Sequence, residues 1–517
     1  MFKNALVSVS DKTGLIDFLK PLVKQGLRVV STGGTAQHLN EHGLKVVDVS
    51  EQTGFPEVLG GRVKTLHPFV HMGLLANLDK TEDCQVLEKY KLQSFDLVIV
   101  NLYPFEEALK SKTNLQGLVE KIDVGGPSML RAAAKNHKFC TVVCDPQDYP
   151  WILEKQTQMS LVDRQKLAAK VFSHTSFYDS LIASTLSADT DHLHDPFSRF
   201  DFSSANVTIP ARKKQSLRYG ENPHQSAAWY SFPGNAFGFS DMNQKQGKEL
   251  SYNNLLDLEA GLSLTQEFSA PVAVAVKHNN PCGVGQDPDP LQALKKALTA
   301  DPVSVFGGIV IFNCRVDKAE AELMNEIFLE CVLAPEFTAA ALEIFAKKKN
   351  LRLLESRNIF KKSSDWEVKT IFGGFVVQNR DHYSADTSAW KVFGPSLNKN
   401  IEQDILFGEK VCGLLKSNSI AIVKSGQSLG LGMGQVNRVD AVEQSLKRMK
   451  THHAQMNEAV LVSDAFFPFP DSIEIIAKSG IKTIAQPGGS IKDQEVIARA
   501  QELGLQMILT GIRHFRH

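Results

Sequence analysis

ALVSVS (5–10) leads through TGLIDFLKPLVKQG (13–26) and LRVVST (27–32) into GGTAQHLNEHG (33–43), and this alternation decides the fold of the first part of the chain. The short apolar runs predict strands, and the apolar residues of 13–26 have the spacing of an amphipathic helix, which we expect Ser10 or Asp11 to cap. Strands that alternate with helices predict an open, largely parallel α/β sheet. In such sheets ligands bind at the carboxyl ends of the strands.

The chain has 517 residues, too many for one hydrophobic core. Residues 187–215 lose periodicity and are rich in Asp, Ser and Pro, so we predict two domains, 1–195 and 196–517. Within the second domain a strand, a glycine-rich loop, a helix and a strand follow one another twice, beginning at PVAVAVKH (271–278) and at NSIAIVKS (418–425). This repetition predicts a duplicated α/β unit.

Composition and charge argue against several classes of protein. Lysine plus arginine and aspartate plus glutamate number 57 each, so the formal net charge is zero, which argues against binding of nucleic acid through a basic face. The seven cysteines form no CxxC pair, which argues against a disulfide framework and a structural zinc site. No apolar run approaches the roughly 20 residues that cross a bilayer, and no secretory signal is recognisable. We therefore expect a cytoplasmic protein with no membrane partner.

The first motif with a potential ligand is STGGTA (31–36), where a predicted strand passes through two glycines into a helix. Unpaired N–H groups and the positive end of the helix dipole suit a phosphate, and Ser31, Thr32 and Thr35 add hydroxyl groups. The motif is neither a P-loop nor GxGxxG. A tight turn without a ligand is therefore an equally good interpretation.

GGRVKTLHPFVH (60–71) contains two cations, Arg62 and Lys64, on one side of what we expect to be an extended chain. There they suit a phosphate or a carbonyl oxygen. His67 and His71 have the spacing of a helical metal pair, but a proline interrupts that helix and no HExxH glutamate is present. We predict no metal site.

NLYPF (101–105) ends a predicted strand, and DVGGPSMLRAAAKNH (123–137) begins a helix with a glycine pair. Together they supply a phenol, Tyr103, a carboxylate, Asp123, and an ammonium group, Lys135. Acid and base groups of this kind can transfer protons around a small anionic substrate. For NLYPF alone, a structural tyrosine before a turn is the commoner interpretation.

In this order, SVSDKTGL, STGGTA, GGRVKTLHP, NLYPF and DVGGPSMLRAAAKNH resemble the inosine monophosphate (IMP) cyclohydrolase domain of a bifunctional purine-biosynthesis family, whose fold is that of methylglyoxal synthase. The resemblance implies that a formamido-imidazole-carboxamide ribotide (FAICAR) loses water to give IMP. It implies that the closing ring is surrounded by Lys64, Tyr103, Asp123 and Lys135. It also implies that the nucleotide is held by Ser8, Ser10, Lys12, Thr32, Gly33, Gly34, Thr35, Arg62, Thr65, Asn101, Gly125 and Gly126. Which group acts as acid and which as base stays open.

In the second domain, VKHNNPCGVG (276–285) sets a lysine and a histidine side by side at the end of a buried run. Neighbouring side chains of a strand point to opposite faces, so Lys277 and His278 share a pocket only if the chain turns there, as Asn-Asn-Pro predicts. A neutral His278 could then take a proton while Lys277 stabilises an oxyanion. For an isolated pair, a solvated lysine beside a turn histidine is the commoner interpretation.

Two other interpretations of this stretch are weaker. Pro281-Cys282 matches half of a zinc-deaminase signature, but the second cysteine and the upstream H-x-E are missing. Cys282 as a nucleophile would need an orienting base, and the closeness of His278 in sequence keeps that interpretation open.

Further motifs offer amides, cations and aromatic rings: LRYGENPHQ (217–225), ELSYNNLLD (249–257), SVFGG (304–308), KSNSIAIVKSGQSLGLGMGQVNR (416–438) and SDAFFPF (463–469). With AQPGGSIKDQEVIARA and TGIRHFRH they resemble the bacterial form of the aminoimidazole carboxamide ribotide (AICAR) transformylase domain of the same family, built from two cytidine-deaminase-like α/β units. The resemblance implies formyl transfer from 10-formyltetrahydrofolate to the exocyclic amine of AICAR. His278 would assist deprotonation of the amine, and Lys277 would support the developing charge. Substrate-binding roles are implied for Arg218, Tyr219, Asn253, Phe306, Asn418, Arg438, Phe466 and His517.

The resemblance covers nearly the whole chain and implies a fused enzyme for the last two steps to IMP. It implies a folate co-substrate, no tightly bound cofactor, room for a monovalent cation, and a homodimer with transformylase sites across the subunit interface. Asn437 stands where serine is usual and Glu330 where some members have aspartate, which bears on substrate affinity and not on the reaction. The alternatives are a methylglyoxal-synthase-like lyase, disfavoured by the second domain, and a non-catalytic nucleotide sensor, disfavoured by the intact acid and base residues.

Overall fold

The structure is a computed structural model that describes residues 1–188, 192–195, 197, 199–233, 238–360, 366–383, 386–453 and 458–517. These residues form two compact units. The first contains Met1–Arg212, and the second contains Lys213–Ser231 and the described chain beyond residue 237. The predicted domain boundary at residue 196 falls outside the described residues and stays a prediction.

Five parallel strands form the central sheet of the first unit: β1 Asn4–Val9, β2 Arg28–Ser31, β3 Val47–Asp48, β4 Leu97–Asn101 and β5 Thr141–Val143. Their order is β3-β2-β1-β4-β5. The helices of this unit are α1 Leu15–Lys24, α2 Gly33–Glu41, α3 Val49–Thr53, α4 Pro68–Leu75, α5 Thr81–Lys89, α6 Phe105–Lys110, α7 Leu115–Val119, α8 Gly125–Lys135, α9 Tyr149–Lys155 and α10 Leu161–Ser187. The parallel α/β sheet predicted from the alternation of apolar runs is confirmed.

The start of α1 differs from the prediction, because neither Ser10 nor Asp11 caps it. Its N-cap is Gly14, with φ 67° and no capping side chain. The Asp11 carboxylate accepts the N–H of Thr13 at 2.9 Å, and Asn101 Oδ1 accepts the N–H of Ser10 at 2.6 Å. The residues after β1 therefore form a loop held from outside, and the helix begins only beyond it.

Most strands of the second unit belong to one mixed sheet. The unit contains β6 Arg212–Leu217, β7 Ala227–Ser231, β8 Asn243–Gln246, β9 Val272–Val276, β10 Pro281–Gln286, β11 Ile309–Phe312, β12 Cys331–Ala334, β13 Arg352–Glu355, β14 Trp366–Ile371, β15 Gly374–Asn379, β16 Lys391–Phe393, β17 Ile420–Lys424, β18 Gln427–Gly432, β19 Val460–Ser463, β20 Thr483–Gln486 and β21 Gln506–Leu509. Its helices are α11 Tyr252–Thr265, α12 Pro290–Ala300, α13 Pro302–Val305, α14 Lys318–Asn325, α15 Ala339–Phe345, α16 Lys399–Gly413, α17 Arg438–His452, α18 Asp471–Ser479 and α19 Asp493–Glu502. Two antiparallel pairs, β6–β7 and β14–β15, stand outside the main sheet.

The strand order of the main sheet shows that the unit is duplicated. The order is β16-β21-β20-β19-β17-β18-β10-β9-β11-β12-β13-β8. Reading outward from the β18–β10 pair, each half has a hairpin, β9–β10 or β17–β18, followed by strands in the same sequence. In each half a helix precedes the hairpin, α11 or α16, and another follows it, α12 or α17. The predicted duplication is confirmed.

The two segments predicted to be glycine-rich loops are strands, β10 and β18. A Cβ placed on Gly285 would meet the main chain of Ala293 and Ala297 in α12, and one on Gly432 would meet the main chain of Ala441 in α17. These glycines allow a helix to lie directly on the strand. The loop prediction was wrong because glycine marks close packing here as well as turns.

No helix of the described residues is long and apolar enough to cross a membrane.

Candidate active sites

The first candidate site begins where β1 and β2 end in the first unit. Ser8 Oγ lies 3.1 Å from Thr32 Oγ1. Thr35 Oγ1 accepts the N–H of Val9 at 3.0 Å and donates to its carbonyl oxygen at 3.0 Å. Thr32 and Thr35 are buried, and these hydroxyls fix the start of α2 against the end of β1. The first N–H groups of α2 belong to Gly33 and Gly34, at the helix end that attracts anions.

Lys64 lies over this helix start. A Cβ added to Gly33 would come 2.7 Å from Lys64 Nζ, and the same ammonium group lies 3.5 Å from Glu57 Oε1. The sequence-predicted lysine and glycine pair are therefore brought together.

Arg62 does not share this position, so the prediction of two cations on one side of an extended chain is wrong. Gly60 and Gly61 have φ values of 65° and 83°, and the chain turns there. The Arg62 guanidinium is exposed, 3.8 Å from Glu120.

Asp123 connects two of the predicted motifs. Its Oδ1 accepts the N–H of Gly126 at 2.8 Å, and its carboxylate also accepts the N–H of Tyr103. Burial raises the pKa of Asp123, while these two N–H donors lower it. Thr65 packs against Gly125 at the start of α8. Tyr103 is 54% exposed, so its main chain meets a carboxylate of raised pKa while the residue is open to solvent.

Tyr178, on α10, supports Asp123 and was missed in the sequence. Its hydroxyl accepts the N–H of Asp123 at 2.9 Å and donates to the carbonyl oxygen of Lys121 at 3.3 Å. Burial raises the pKa of Tyr178 to about 12, so its hydroxyl stays protonated and keeps both bonds. Nothing in the spacing of residues along the chain connects position 178 with position 123.

Asn101 shapes the loop after β1. Its Oδ1 accepts the N–H groups of Ser10 and Asp11 at 2.6 and 2.9 Å, and its Nδ2 donates to the carbonyl oxygen of Asp11 at 2.8 Å. Lys12 belongs to this loop. Asn101 thus positions other predicted binding residues, and a direct contact with substrate stays a prediction.

Lys135 is not brought to the other predicted catalytic groups within this unit. It is exposed at the end of α8, and Gly125 begins the same helix, so a rise of 1.5 Å per residue separates their backbones by about 15 Å. Lys135 lines a cavity of about 610 Å³ with Leu75, Arg131 and Phe172.

The second candidate site is the turn between β9 and β10. The N–H of Lys277 donates to Asn280 O at 3.0 Å, and His278 and Asn279 have φ values of 57° and 61°. Two left-handed central residues are the mark of a tight type I′ hairpin. The turn predicted from Asn-Asn-Pro is present, and it exposes the His278 side chain at the strand end. The N–H of Asn279 donates to Asp257 Oδ1 on α11 at 2.5 Å.

Lys277 points to an aromatic pair beside the turn. Its Nζ donates to the carbonyl oxygen of Phe306 at 2.7 Å. Phe306 is 58% and Phe328 53% exposed, with ring centroids 5.5 Å apart. Gly307, with φ 74°, donates its N–H to Phe328 O at 2.7 Å, which holds the two rings together. Phe306 was predicted as a stacking residue, and Phe328 was missed because no motif contained it.

Polar groups of α11 lie near the same strand ends. Asn254 Nδ2 donates to Glu330 Oε2 at 3.2 Å, and Asn253 Nδ2 donates to the carbonyl oxygen of Glu221 at 3.4 Å. Asn253 thereby touches the predicted binding loop 217–225, in which the Arg218 guanidinium lies 5.6 Å from the Tyr219 ring.

Cys282 has the properties of a structural residue. It is buried in β10, where its Sγ donates to Ala275 O at 3.4 Å, and burial raises the pKa of its thiol to about 12. A thiolate nucleophile is disfavoured there.

Arg438 and Asn418 form a separate group in the second half of the duplicated unit. The buried Arg438 guanidinium pairs with Asp464 and donates to Ser419 O at 3.0 Å and to Asn418 Oδ1 at 2.8 Å. It orients the Asn418 amide, and contact with substrate stays a prediction. Asn437 caps α17 by accepting the N–H of Asp440 at 2.8 Å, a role that serine also performs.

Phe466 and His517 complete the predicted binding residues. Phe466 is half-buried after β19. The His517 carbonyl oxygen accepts bonds from Lys369 Nζ at 3.0 Å and Lys416 Nζ at 3.1 Å. Among the described residues, no hydrogen bond or ion pair joins the Lys277–His278 turn to Phe466 or His517. The same holds for Asn418 and Arg438.

Within the described ranges no group of three or more His, Cys, Asp or Glu side chains could hold a metal ion. His67, half of the rejected metal pair, caps α4 by accepting the N–H of Phe69 at 3.1 Å.

Comparisons with known proteins connect both units to one family. The model described as "AICARFT/IMPCHase bienzyme" matches residues 133–448, and that described as "MGS-like domain" matches residues 14–128. Two relatives named bifunctional purine biosynthesis protein PurH are similar over 100% of both chains: that of Persephonella marina is 46% identical over 523 residues, and that of Bacillus mycoides 45% over 525. The crystal structure of ForH is 34% identical and covers 35% of this chain and 98% of its own, with a TM-score of 0.32, too low to support a conclusion.

Proposed function

The chain belongs to the AICARFT/IMPCHase bienzyme family, and from this premise we propose how its two candidate sites divide the work. It is a bifunctional enzyme of purine biosynthesis: it transfers a formyl group from 10-formyltetrahydrofolate to AICAR, giving FAICAR, and cyclises FAICAR to IMP with loss of water. One observation supports this division of the two reactions between the units. Each unit has its own acid–base groups beside its own sheet, Tyr103 with Asp123 in the first and Lys277 with His278 in the second.

We assign cyclisation to the first unit. The carboxamide nitrogen of FAICAR attacks the formyl carbon, the carboxamide and the formamido nitrogens each lose one proton, and the formyl oxygen takes up two protons and leaves as water. Asp123 bonds to the main chain of Tyr103, and the phenol and the carboxylate are group types that suit this exchange of protons. Lys64 and the start of α2 suit the phosphate of the nucleotide. The participation of Lys135 rests on the resemblance alone.

We assign formyl transfer to the second unit. The exocyclic amine of AICAR is conjugated into its ring and is a weak nucleophile, so removal of its proton by His278 is what the attack on the formyl carbon requires. Lys277 has three donors and uses one on Phe306 O, which leaves donors for the oxyanion of the tetrahedral intermediate. When that intermediate collapses, the folate nitrogen leaves and takes up a proton. The exposed face of Phe306 suits a planar ring.

The proposal extends to assembly and location. We infer a cytoplasmic homodimer in which Asn418, Arg438, Phe466 and His517 meet the Lys277–His278 turn of the partner. The folate is a co-substrate and no cofactor stays bound. The resemblance also leaves room for a monovalent cation. Light scattering tests the dimer, and elemental analysis of the purified protein tests the cation.

The decisive experiment supplies the purified protein with AICAR and 10-formyltetrahydrofolate and follows IMP. We expect His278→Ala to lose formyl transfer, by about a hundredfold or more, and to retain cyclisation of added FAICAR. Loss of both activities in a folded His278→Ala protein, or full formyl transfer without the imidazole, would contradict the two-site assignment.

A further inference from the structure

The turn that presents His278 is costly for the chain to form. Both central residues, His278 and Asn279, are left-handed, with φ 57° and 61°, and neither is glycine. A left-handed conformation is unfavourable for residues with a Cβ, although asparagine and histidine tolerate it better than most. Something outside the turn must therefore hold it.

Asp257, in the second turn of α11, is the group that does so. Its Oδ1 accepts the N–H of Asn279 at 2.5 Å, and the carboxylate also accepts the N–H of His278. Since both bonds go to the main chain of the turn, the carboxylate fixes the direction in which the imidazole leaves the backbone.

The second half of the unit contains an internal copy of this arrangement. There the turn between β17 and β18 has Ser425 and Gly426 in left-handed conformations, with φ 49° and 70°. Asp404 of α16 accepts their N–H groups at 2.9 and 3.0 Å. In each half, an aspartate from the helix before the hairpin thus supports the turn. Only the turn of the first hairpin contains a histidine.

The charges around the two carboxylates differ. Asp404 has two lysines for neighbours, Lys296 and Lys424, and Lys296 Nζ donates to the carbonyl oxygen of Ser425 at 2.7 Å. Asp257 has His278 as its cationic neighbour and Glu330 as its anionic one. The first carboxylate is therefore placed to act on the imidazole, whereas the cationic neighbours of the second are lysines.

We propose that Asp257 is the positioning residue of the formyl-transfer site: it fixes the turn that presents His278, and its negative charge stabilises the imidazolium that forms when His278 takes the proton of the amine. The inference rests on the proposed role of His278. The charged groups around this turn, among the described residues, include Asp257 of α11, Glu330, which precedes β12 and acts on Asp257, and Lys277 of the turn itself. Of these, only Asp257 bonds to the backbone of His278.

The ionisation of Asp257 agrees with this role. Its pKa is raised, chiefly by burial and also by the charge of Glu330, while the N–H of Asn279, the charge of His278 and the N–H of His278 lower it. Within this balance the contacts of Asp257 with the turn favour its charged form.

Asp257→Asn removes the charge and keeps one acceptor oxygen, which can still accept the N–H of Asn279, so the support of the turn is retained in part while the charge is lost. Loss of the negative charge makes the imidazolium less stable, so we expect the acidic limb of the pH profile for formyl-transfer kcat to move to lower pH by about one unit. The imidazole also becomes a weaker base, and we expect kcat to fall about tenfold, the factor that corresponds to one pH unit. KM for AICAR should change little, because Asp257 bonds to the turn. Asp257→Ala, which loses both effects, should fall further.

Two controls belong to the same protein. Asp404→Asn removes the same charge beneath a turn without imidazole, and we expect its pH profile for formyl transfer to match that of the unaltered enzyme. Cyclisation of added FAICAR reports on folding of the other unit in every variant. Should Asp257→Asn fail to fold, Asp257→Glu keeps the charge, and an unmoved acidic limb in that variant supports the proposal while a moved limb overturns it.

The proposal is overturned if Asp257→Asn leaves the acidic limb in place, or if Asp257→Asn and Asp404→Asn change formyl transfer equally. Either result would make the carboxylate a purely structural support. The variant His278→Ala distinguishes a failure of the role proposed for Asp257 from a failure of the proposed function. If His278→Ala retains formyl transfer, the proposed function itself fails. If it does not and the limb of Asp257→Asn is unmoved, only the role of Asp257 fails.

Discussion

Several side chains at the two sites act on the backbone beside them. Asn101 binds the main chain of residues 10 and 11, and Asp123 binds that of Tyr103 and Gly126. Asp257 binds the turn at His278. These bonds hold loops, a turn and the first turn of α8 in place beside the sheets. Polar residues that occur in site motifs thus serve partly to shape the loops that carry the chemistry.

Tyr178 is the residue on which we expect cyclisation to depend without touching the substrate. Tyr178→Phe removes the hydroxyl that accepts the N–H of Asp123 and leaves this N–H unpaired. We expect the loss to cost about 1–2 kcal/mol, or on the order of tenfold in cyclisation kcat. The assay is conversion of added FAICAR to IMP, with formyl transfer by the second unit unchanged.

Tyr149→Phe is the matched control for Tyr178→Phe. Tyr149 is a buried tyrosine of the same unit whose ring stacks on Phe18, with centroids 4.5 Å apart. Equal cyclisation in Tyr178→Phe and the unaltered protein would show that the bond to Asp123 is dispensable.

At the residue scale the sequence predicts which groups are present better than where they point. The Lys277–His278 turn followed from Asn-Asn-Pro, because turn chemistry is local. The separation of Arg62 from Lys64 did not follow, since it depends on a helical conformation at Arg62 (φ −62°, ψ −24°) where an extended chain was expected. Tyr178 and Phe328 escaped because their contacts join residues distant in sequence or outside any motif.

At the scale of elements, glycine misled the prediction for a physical reason. In β10 and β18 glycines alternate along the strand, and the helix that follows each strand packs on the face they leave bare. Where glycine occupies every second position of a strand, the apolar residues that would show the strand periodicity are missing. The sequence pattern therefore predicts a loop. The helices and the remaining strands were predictable, because their apolar faces carry the periodicity.

Gly285→Ala tests this close packing. The added methyl group would meet the main chain of α12, with Ala297 N at 2.5 Å, and main chain cannot swing aside as a side chain can. We expect the free energy of unfolding of the second unit to fall by about 1–3 kcal/mol, as overpacking does elsewhere. Urea unfolding followed by loss of formyl transfer measures it.

Gly374→Ala is the matched control for Gly285→Ala. Gly374 also lies in a strand, β15, but a Cβ there meets nothing within 4 Å. We expect a change of less than about 1 kcal/mol, and a stabilising one where the chain loses freedom only in the unfolded state. Equal effects of the two substitutions would show that helix packing is not what requires glycine in β10.

At the scale of the whole molecule, the function that we propose assigns one proton-transfer problem to each unit. The amine of AICAR must lose a proton before it can attack, and the carboxamide of FAICAR must lose one while oxygen leaves. The sequence order of motifs was sufficient to predict both chemistries and the duplication. It was not sufficient to place Lys135, which depends on the length and direction of α8.

Because the two chemistries have separate groups, two variants that are each defective in one step should complement each other in solution. Asp123→Asn removes the carboxylate beside Tyr103 and should convert AICAR to FAICAR without cyclising it. His278→Ala should form nothing from AICAR but cyclise added FAICAR. In an equimolar mixture we expect IMP to appear after a lag, while FAICAR accumulates, and then to form at the rate at which Asp123→Asn alone makes FAICAR. Absorbance of IMP and chromatography of FAICAR follow the two steps. If Asp123→Asn makes FAICAR but the mixture makes no IMP, His278→Ala has lost cyclisation together with formyl transfer, and the two units do not work as independent catalysts.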